Sequence, residues 1–106
     1  MLRDMFELSG HQVVAEAETL ADTIESYRVH QPDLTTLDLS LVGASGLDIL
    51  KALRAIAPAA RVMIVSGNAQ KRVIEATRAA GASGFLAKPF DMGELAVVLK
   101  AMGLSA

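Results

Sequence analysis

The feature that most restricts the fold of this chain is an apolar run near its middle. Four successive apolar residues, Val62 to Val65, lie between Arg61 and Ser66, and Pro58 precedes them. Because successive residues of a strand face opposite sides of a sheet, a continuous apolar run predicts a strand that is covered on both faces. Such strands are typical of parallel sheets with helices on both sides. The run therefore predicts an interior parallel strand over residues 61–66.

The rest of the chain alternates between helical and strand-like patterns. Apolar spacing predicts helices over 2–8, 19–29, 47–56, 70–80 and 91–102, and strands over 12–17, 34–39 and 84–87. Gly10 and Gly81 follow two of the helices, where a helix commonly ends. Asp91 is predicted to cap the last helix, with Glu94 three residues on. This alternation predicts right-handed crossovers and an α/β domain.

Composition narrows the class of protein. The 106 residues fit one domain over 1–106. A hydrophobic share of 52% with 21% charged residues excludes intrinsic disorder, and a net charge of -2 does not favour nucleic acid or a membrane surface as partner. The absence of Cys excludes disulfides, thiolate metal sites and a Cys nucleophile. Without a long apolar run or a signal peptide pattern, the sequence predicts a cytoplasmic domain.

Three residues with complementary chemistry follow predicted strands at one edge of the sheet. Asp38 and Ser66 lie at the ends of two strands, and Lys88 follows a third. In open α/β sheets, ligands bind outside the carboxyl ends of the strands. A carboxylate can attack phosphorus, and a hydroxyl and an ammonium group can bind the oxygens of the transferred phosphoryl group. Taken singly, the same residues are an ordinary loop cap, a turn residue and a solvated charge.

Over essentially its whole length the chain resembles the receiver domains of two-component response regulators, of the chemotaxis type. The motifs that carry the resemblance are Pro32-Asp33-Leu34, Leu37-Asp38-Leu39, Gly43, Gly46, Val65-Ser66-Gly67-Asn68 and, most specifically, Gly81 to Phe90. The resemblance implies a flavodoxin-like α/β fold. It also implies a role in phosphorelay signal transduction rather than as an independent enzyme.

The resemblance assigns a role to each strand-end residue. It implies that Asp38 is the phosphoryl acceptor, that Ser66 supplies a hydroxyl that moves toward the phosphate, and that Lys88 is the cation that pairs with it. It makes Phe85 the switch aromatic of the last strand and implies a cis peptide bond between Lys88 and Pro89. For Phe85, a core position explains an apolar residue on a buried strand equally well.

The magnesium site is the main departure from the family. Family members hold Mg²⁺ with the acceptor Asp and two acidic residues that end a first strand, and the motif match places Met1 after that strand. Asp4 and Glu7 are expected to be solvated charges, because their helix runs away from the site. The remaining ligands are Asp38 and the backbone carbonyl of Ser40. We therefore expect weak or absent Mg²⁺ binding and impaired phosphorylation of Asp38.

The same departure changes the predicted sheet. We expect segment 12–17 to pair directly with segment 34–39, which gives a truncated fold of four parallel strands in chain order with five helices. Alternatively, a second chain covers the exposed edge and apolar surface, which predicts a homodimer. Thr35 and Thr36 are a further departure, because one of the two hydroxyls must face a side of the sheet that is normally dry.

Three functional interpretations remain open from the sequence. The chain is a stand-alone receiver-like domain that acts mainly through protein–protein interaction, a receiver that works through phosphorylation of Asp38, or an engineered or mis-started fragment of a complete receiver. The predicted partners are a sensor histidine kinase or another signalling protein and a second copy of the chain. Nucleic acid and membranes are not expected as partners.

Overall fold

The computed structural model describes residues 2–8, 10–13, 20–38, 46–67 and 70–104. Its elements, in chain order, are α1 (Leu2–Leu8), α2 (Leu20–His30), β1 (Thr35–Asp38), α3 (Gly46–Ile56), β2 (Val62–Ser66), α4 (Lys71–Ala79), β3 (Gly84–Ala87) and α5 (Met92–Ala101). The five predicted helices and three of the four predicted strands are confirmed in these ranges. The expected strand over 12–17 is wrong for Gln12 and Val13, which lie in no strand, and its other residues lie outside the described ranges.

The three described strands form a parallel sheet in the order β1-β2-β3. This order follows the chain, as predicted for these strands. Each connection passes through a helix, α3 between β1 and β2 and α4 between β2 and β3. Because each helix returns the chain to the same end of the sheet, all carboxyl ends meet at one edge.

The central strand β2 confirms the interpretation of the apolar run. All five of its residues are buried. Val62 and Ile64 face one hydrophobic cluster, whereas Met63 and Val65 face another. The alternation of the strand therefore supplies apolar side chains to both layers of the domain.

Helices cover the two faces of the sheet. The cluster on one face, here called the first core, consists of Leu37, Ile49, Leu50, Leu53, Ala60, Val62 and Ile64. The cluster on the other face, the second core, consists of Phe6, Met63, Val65, Leu86, Leu95 and Leu99. Helix α3, with partly buried residues of α2, covers the first core, and α1 and α5 cover the second.

The predicted cap of α5 is confirmed. The Asp91 carboxylate accepts a hydrogen bond from the backbone N–H of Glu94 at 2.8 Å. This bond satisfies one of the N–H groups that a helix start leaves without an intrahelical partner. It also fixes the turn between β3 and α5, which contains Lys88 and Pro89.

The Thr35-Thr36 pair of β1 places a buried hydroxyl group against the first core. By strand alternation, Thr35 faces the same side as Leu37, which is buried there. The Oγ1 atom of Thr35 is buried and has no hydrogen-bond partner within the described part of the chain. A buried hydroxyl of this kind costs about 1–3 kcal/mol.

Gly81, which precedes β3, lies close to the side chain of Arg54 on α3. The backbone of Gly81 has φ +105°, and a Cβ there would lie 2.8 Å from Nε of Arg54. Arg54 in turn donates a hydrogen bond from Nη1 to the carbonyl of Ala60 at 2.8 Å. A side chain at Gly81 would therefore strain the backbone and displace the arginine.

Gly81→Ala is expected to lower the free energy of unfolding by about 1–3 kcal/mol. Gly67→Ala is the matched control, since its Cβ would meet no atom within 4 Å. The control is expected to stay within about 0.5 kcal/mol of the wild type. Urea denaturation followed by circular dichroism measures both variants, and equal stabilities would contradict the role of Gly81.

No helix within the described ranges is both long enough and apolar enough to cross a membrane.

Candidate functional site

The three predicted strand-end residues meet at one edge of the sheet. Asp38 is the last residue of β1 and pairs in register with Val65, while Ser66 ends β2 and pairs with Ala87. Lys88 follows directly, and its backbone N–H donates to the carbonyl of Ser66 at 2.8 Å. The parallel register therefore brings a carboxylate, a hydroxyl-bearing residue and an ammonium group to neighbouring strand ends.

The side chains of Asp38 and Lys88 form an ion pair, Nζ to Oδ2. Their strands are not neighbours, because β2 lies between them. At about 4.8 Å per strand spacing, the two backbones are roughly 10 Å apart, so a short side chain could not close the gap. The length of the Lys88 side chain therefore places a positive charge beside the Asp38 carboxylate.

The pair is partly withdrawn from water. The side chain of Asp38 is 14% exposed and that of Lys88 is 34% exposed. Ser66, at 4%, is buried beneath the same edge. Because the carboxylate is the more buried partner, it depends on its counter-charge more than the ammonium group does.

Lys88→Met is therefore expected to cost more stability than Asp38→Asn. Loss of the ammonium group removes the counter-charge of the more buried partner, at about 1–3 kcal/mol, whereas loss of the carboxylate affects the more exposed partner. Lys71→Met is the control, because Lys71 is 89% exposed and 3.9 Å from its partner Glu75. Urea denaturation at one ionic strength measures the three variants. Equal costs for Lys88→Met and Asp38→Asn would contradict the asymmetry.

Phe85 and the peptide bond between Lys88 and Pro89 both belong to the last strand and the turn that follows it. Phe85 lies on β3, is half-buried and packs against the first core. It also lines a shallow groove between β3 and α5, beside Val97, which is 69% exposed. The bond between Lys88 and Pro89 is cis. The structure thus gives Phe85 both a core contact and access to a surface groove.

Of the two expected magnesium ligands, Asp38 lies within the described residues. Mg²⁺ prefers six oxygen ligands and is usually held by one or two carboxylates. Within the described ranges, no group of three or more His, Asp or Glu side chains could hold a metal ion. Asp38 is the carboxylate that ends a strand here, and it is paired with Lys88. Ser40, the second expected ligand, lies outside the described residues.

The sequence predicted the members of this site but not two of its contacts. The ion pair between Asp38 and Lys88 spans the end of β2. The order of the strands along the chain could have indicated that a long side chain is needed to make this contact. The bond from the N–H of Lys88 to Ser66 depends on the register of β2 with β3, and no local pattern fixes that register.

Known proteins resemble the chain in both sequence and structure. Chemotaxis protein CheY of Bacillus subtilis (strain 168) is 37% identical over 91 residues, which cover 86% of this chain and 76% of that protein. Sporulation initiation phosphotransferase F of the same organism is 30% identical over 100 residues, covering 94% of this chain and 80% of that protein. The structure of the CheX-CheY-BeF3-Mg+2 complex from Borrelia burgdorferi contains the same fold, with a TM-score of 0.88 over 98% of this chain and 79% of that chain, at 22% identity.

A match to a family profile agrees with the geometry of the strand ends. The profile described as "Response regulator receiver domain" matches residues 1–100. The members of this family are signalling domains that bind Mg²⁺ and interact with kinases and other signalling proteins. With a parallel sheet whose strand ends bear Asp38, Ser66 and Lys88, the chain belongs to the receiver domains of two-component response regulators.

Proposed function

We propose that this chain is a receiver domain whose phosphoryl acceptor is Asp38 and that it acts mainly by binding other signalling proteins. The observation that carries the proposal is the ion pair between Asp38 and Lys88 at the carboxyl edge of the sheet. The pair holds an ionised carboxylate next to a cation that can neutralise an incoming phosphoryl group. Ser66 lies beneath the same edge.

The transfer needs few groups. One carboxylate oxygen of Asp38 attacks the phosphorus of the donor, and the bond from phosphorus to the leaving oxygen breaks, so an acyl phosphate forms. Lys88 then exchanges its partner, since its ammonium group can pair with an oxygen of the bound phosphoryl group instead of the carboxylate. The Ser66 hydroxyl donates a hydrogen bond to a second phosphoryl oxygen.

We further propose that Mg²⁺ accelerates this transfer only weakly in the 106-residue chain. The support is the set of oxygen donors. Asp38 is the carboxylate that ends a described strand, and no group of three or more acidic or His side chains within the described ranges could hold a metal ion. Mg²⁺ must then take its other oxygen ligands from elsewhere. Phosphorylation is then slow, and the domain works mostly through its binding surfaces.

Exposed apolar side chains support the binding role. Leu8 on α1 is 80% exposed and Val97 on α5 is 69% exposed. The relative from Borrelia burgdorferi was crystallised in a complex with CheX, which shows that a protein of this fold binds another protein directly. We propose a sensor histidine kinase or another signalling protein as partner, together with a second copy of this chain.

Acetyl phosphate tests the acceptor and the metal together. The 106-residue chain is incubated with the donor, in one series with Mg²⁺ and in another with EDTA, and intact mass spectrometry follows the gain of one phosphoryl group. Borohydride reduction followed by peptide mapping locates the acyl phosphate. We expect slow modification at Asp38 that Mg²⁺ changes little. Modification at another residue would overturn the acceptor, and fast transfer only with Mg²⁺ would overturn the weak role of the metal.

Light scattering tests the assembly separately. A dimer mass at micromolar concentration is expected, and a monomer mass under the same conditions would overturn the homodimer without affecting the assignment of Asp38.

A further inference from the structure

A second concave surface lies at the opposite edge of the sheet from Asp38. Helices α2 and α3 both end there, because the chain passes from their C-termini into β1 and β2. The cleft between the two ends has a volume of about 510 Å³ and is lined by Tyr27, Arg28, Gln31, Ile56 and Ala57. A volume of this size is in the range of small-molecule sites, roughly 300–1,000 Å³.

The cleft has an apolar part. Ile56 is 42% exposed, so a large aliphatic side chain faces water at this position. Tyr27 and Ala57 are partly buried and pack against the first core, which fixes their positions. An aliphatic and an aromatic surface held by the core can bury the apolar body of a ligand without reorganising.

The polar side chains of the cleft include a cation, which lies near the partial negative charge of the two helix C-termini. Arg28 is exposed, and within the described ranges its guanidinium group has no ion-pair partner. None of the lining residues is acidic. A guanidinium group presents paired N–H donors that match the two oxygens of a carboxylate. The cleft therefore combines a cation with apolar surface.

Gln31 adds an unusual backbone conformation. Its φ is +43°, in the left-handed region, at the position just after α2 where glycine or asparagine is usual. Non-glycine residues in this region are uncommon, and strained conformations of this kind cluster at functional sites as well as at helix ends. Because this position holds Gln31 and not glycine, a side-chain amide that can donate hydrogen bonds belongs to the lining of the cleft.

We propose that this cleft binds a small organic carboxylate with an apolar body. The carboxylate pairs with Arg28 and the amide of Gln31, and the apolar body lies against Tyr27, Ile56 and Ala57. The site is separate from the strand-end residues, so the inference does not depend on the phosphorylation of Asp38.

Phenylacetate and its neutral analogue phenylacetamide test the charge requirement. Each is titrated into the ¹⁵N-labelled 106-residue chain while amide resonances are followed by NMR. Phenylacetate is expected to produce saturable shifts at residues 27–31 and 56–57, with a Kd in roughly the millimolar range. Phenylacetamide is expected to produce no saturable shift there. Equal responses to the two compounds, or no response to phenylacetate, would overturn the proposal.

Variants of the cleft test the residues. Arg28→Gln is expected to weaken phenylacetate binding by at least roughly tenfold, because a charge-assisted hydrogen bond is lost. Arg78→Gln removes an exposed charge from α4 and is expected to bind like the wild type. Gln31→Gly relaxes the backbone, so it is expected to unfold at a higher urea concentration while binding more weakly. Unchanged binding by Arg28→Gln would overturn the assignment. So would a Gln31→Gly variant whose weaker binding is accompanied by lower stability, because a folding defect would then explain the loss of binding.

Discussion

Asp38→Asn is expected to abolish phosphoryl incorporation from acetyl phosphate. The substitution keeps the size and shape of the side chain and removes the negative oxygen of the proposed nucleophile, since an amide oxygen is a far weaker nucleophile. The partner Lys88 is 34% exposed and can hydrate, so the variant is expected to stay folded. Intact mass spectrometry after incubation with the donor measures the effect, and circular dichroism confirms the fold.

Asp33→Asn is the matched control for this experiment. Asp33 is an exposed acid just before β1, at the opposite end of the strand from Asp38. The control variant removes the same charge but is expected to be modified at the wild-type rate. If Asp38→Asn gained a phosphoryl group, or if Asp33→Asn lost it, the acceptor would have to be sought elsewhere.

Leu50→Ala is expected to lower the free energy of unfolding by about 2–5 kcal/mol. Leu50 on α3 is 0% exposed and belongs to the first core, so the truncated side chain leaves a cavity between α3 and the sheet. A domain of this size is stable by about 5–15 kcal/mol in total, which makes the loss a large fraction. The urea midpoint, with an unchanged slope of the transition, reports the effect.

Leu8→Ala removes the same atoms from a different environment. Leu8 on α1 is 80% exposed, so the change creates no cavity and is expected to stay within about 0.5 kcal/mol of the wild type. Comparable losses for Leu8→Ala and Leu50→Ala would show that α3 does not pack on the sheet as described.

Local patterns were sufficient for most of the elements. The apolar run of β2 predicted a strand covered on both faces, and its residues do alternate between two cores. The acid at Asp91 predicted the start of α5, because a side chain that caps an N–H three residues on acts within one turn. Patterns of this kind depend on residues that are close in sequence, so they predict a helix or strand without knowledge of the tertiary contacts.

The beginning of the sheet could not be predicted as well. The β-prone composition of segment 12–17 favoured a strand, yet Gln12 and Val13 lie in none. A short strand has little intrinsic stability and forms only where a neighbour offers backbone hydrogen bonds. The conformation of Gln12 and Val13 therefore depends on the surrounding structure more than on the β propensity of their segment.

By itself, the sequence determined the alternation of helices and strands, the family and the three residues at the strand ends. The tertiary structure decided which groups meet. The ion pair between Lys88 and Asp38 depends on the order of the strands, and the packing of two helix ends brings Arg28 and Ile56 into the lining of one cleft. The physical reason is that local preferences act over a few residues, whereas these contacts join segments that are far apart in the chain and meet only when the cores close.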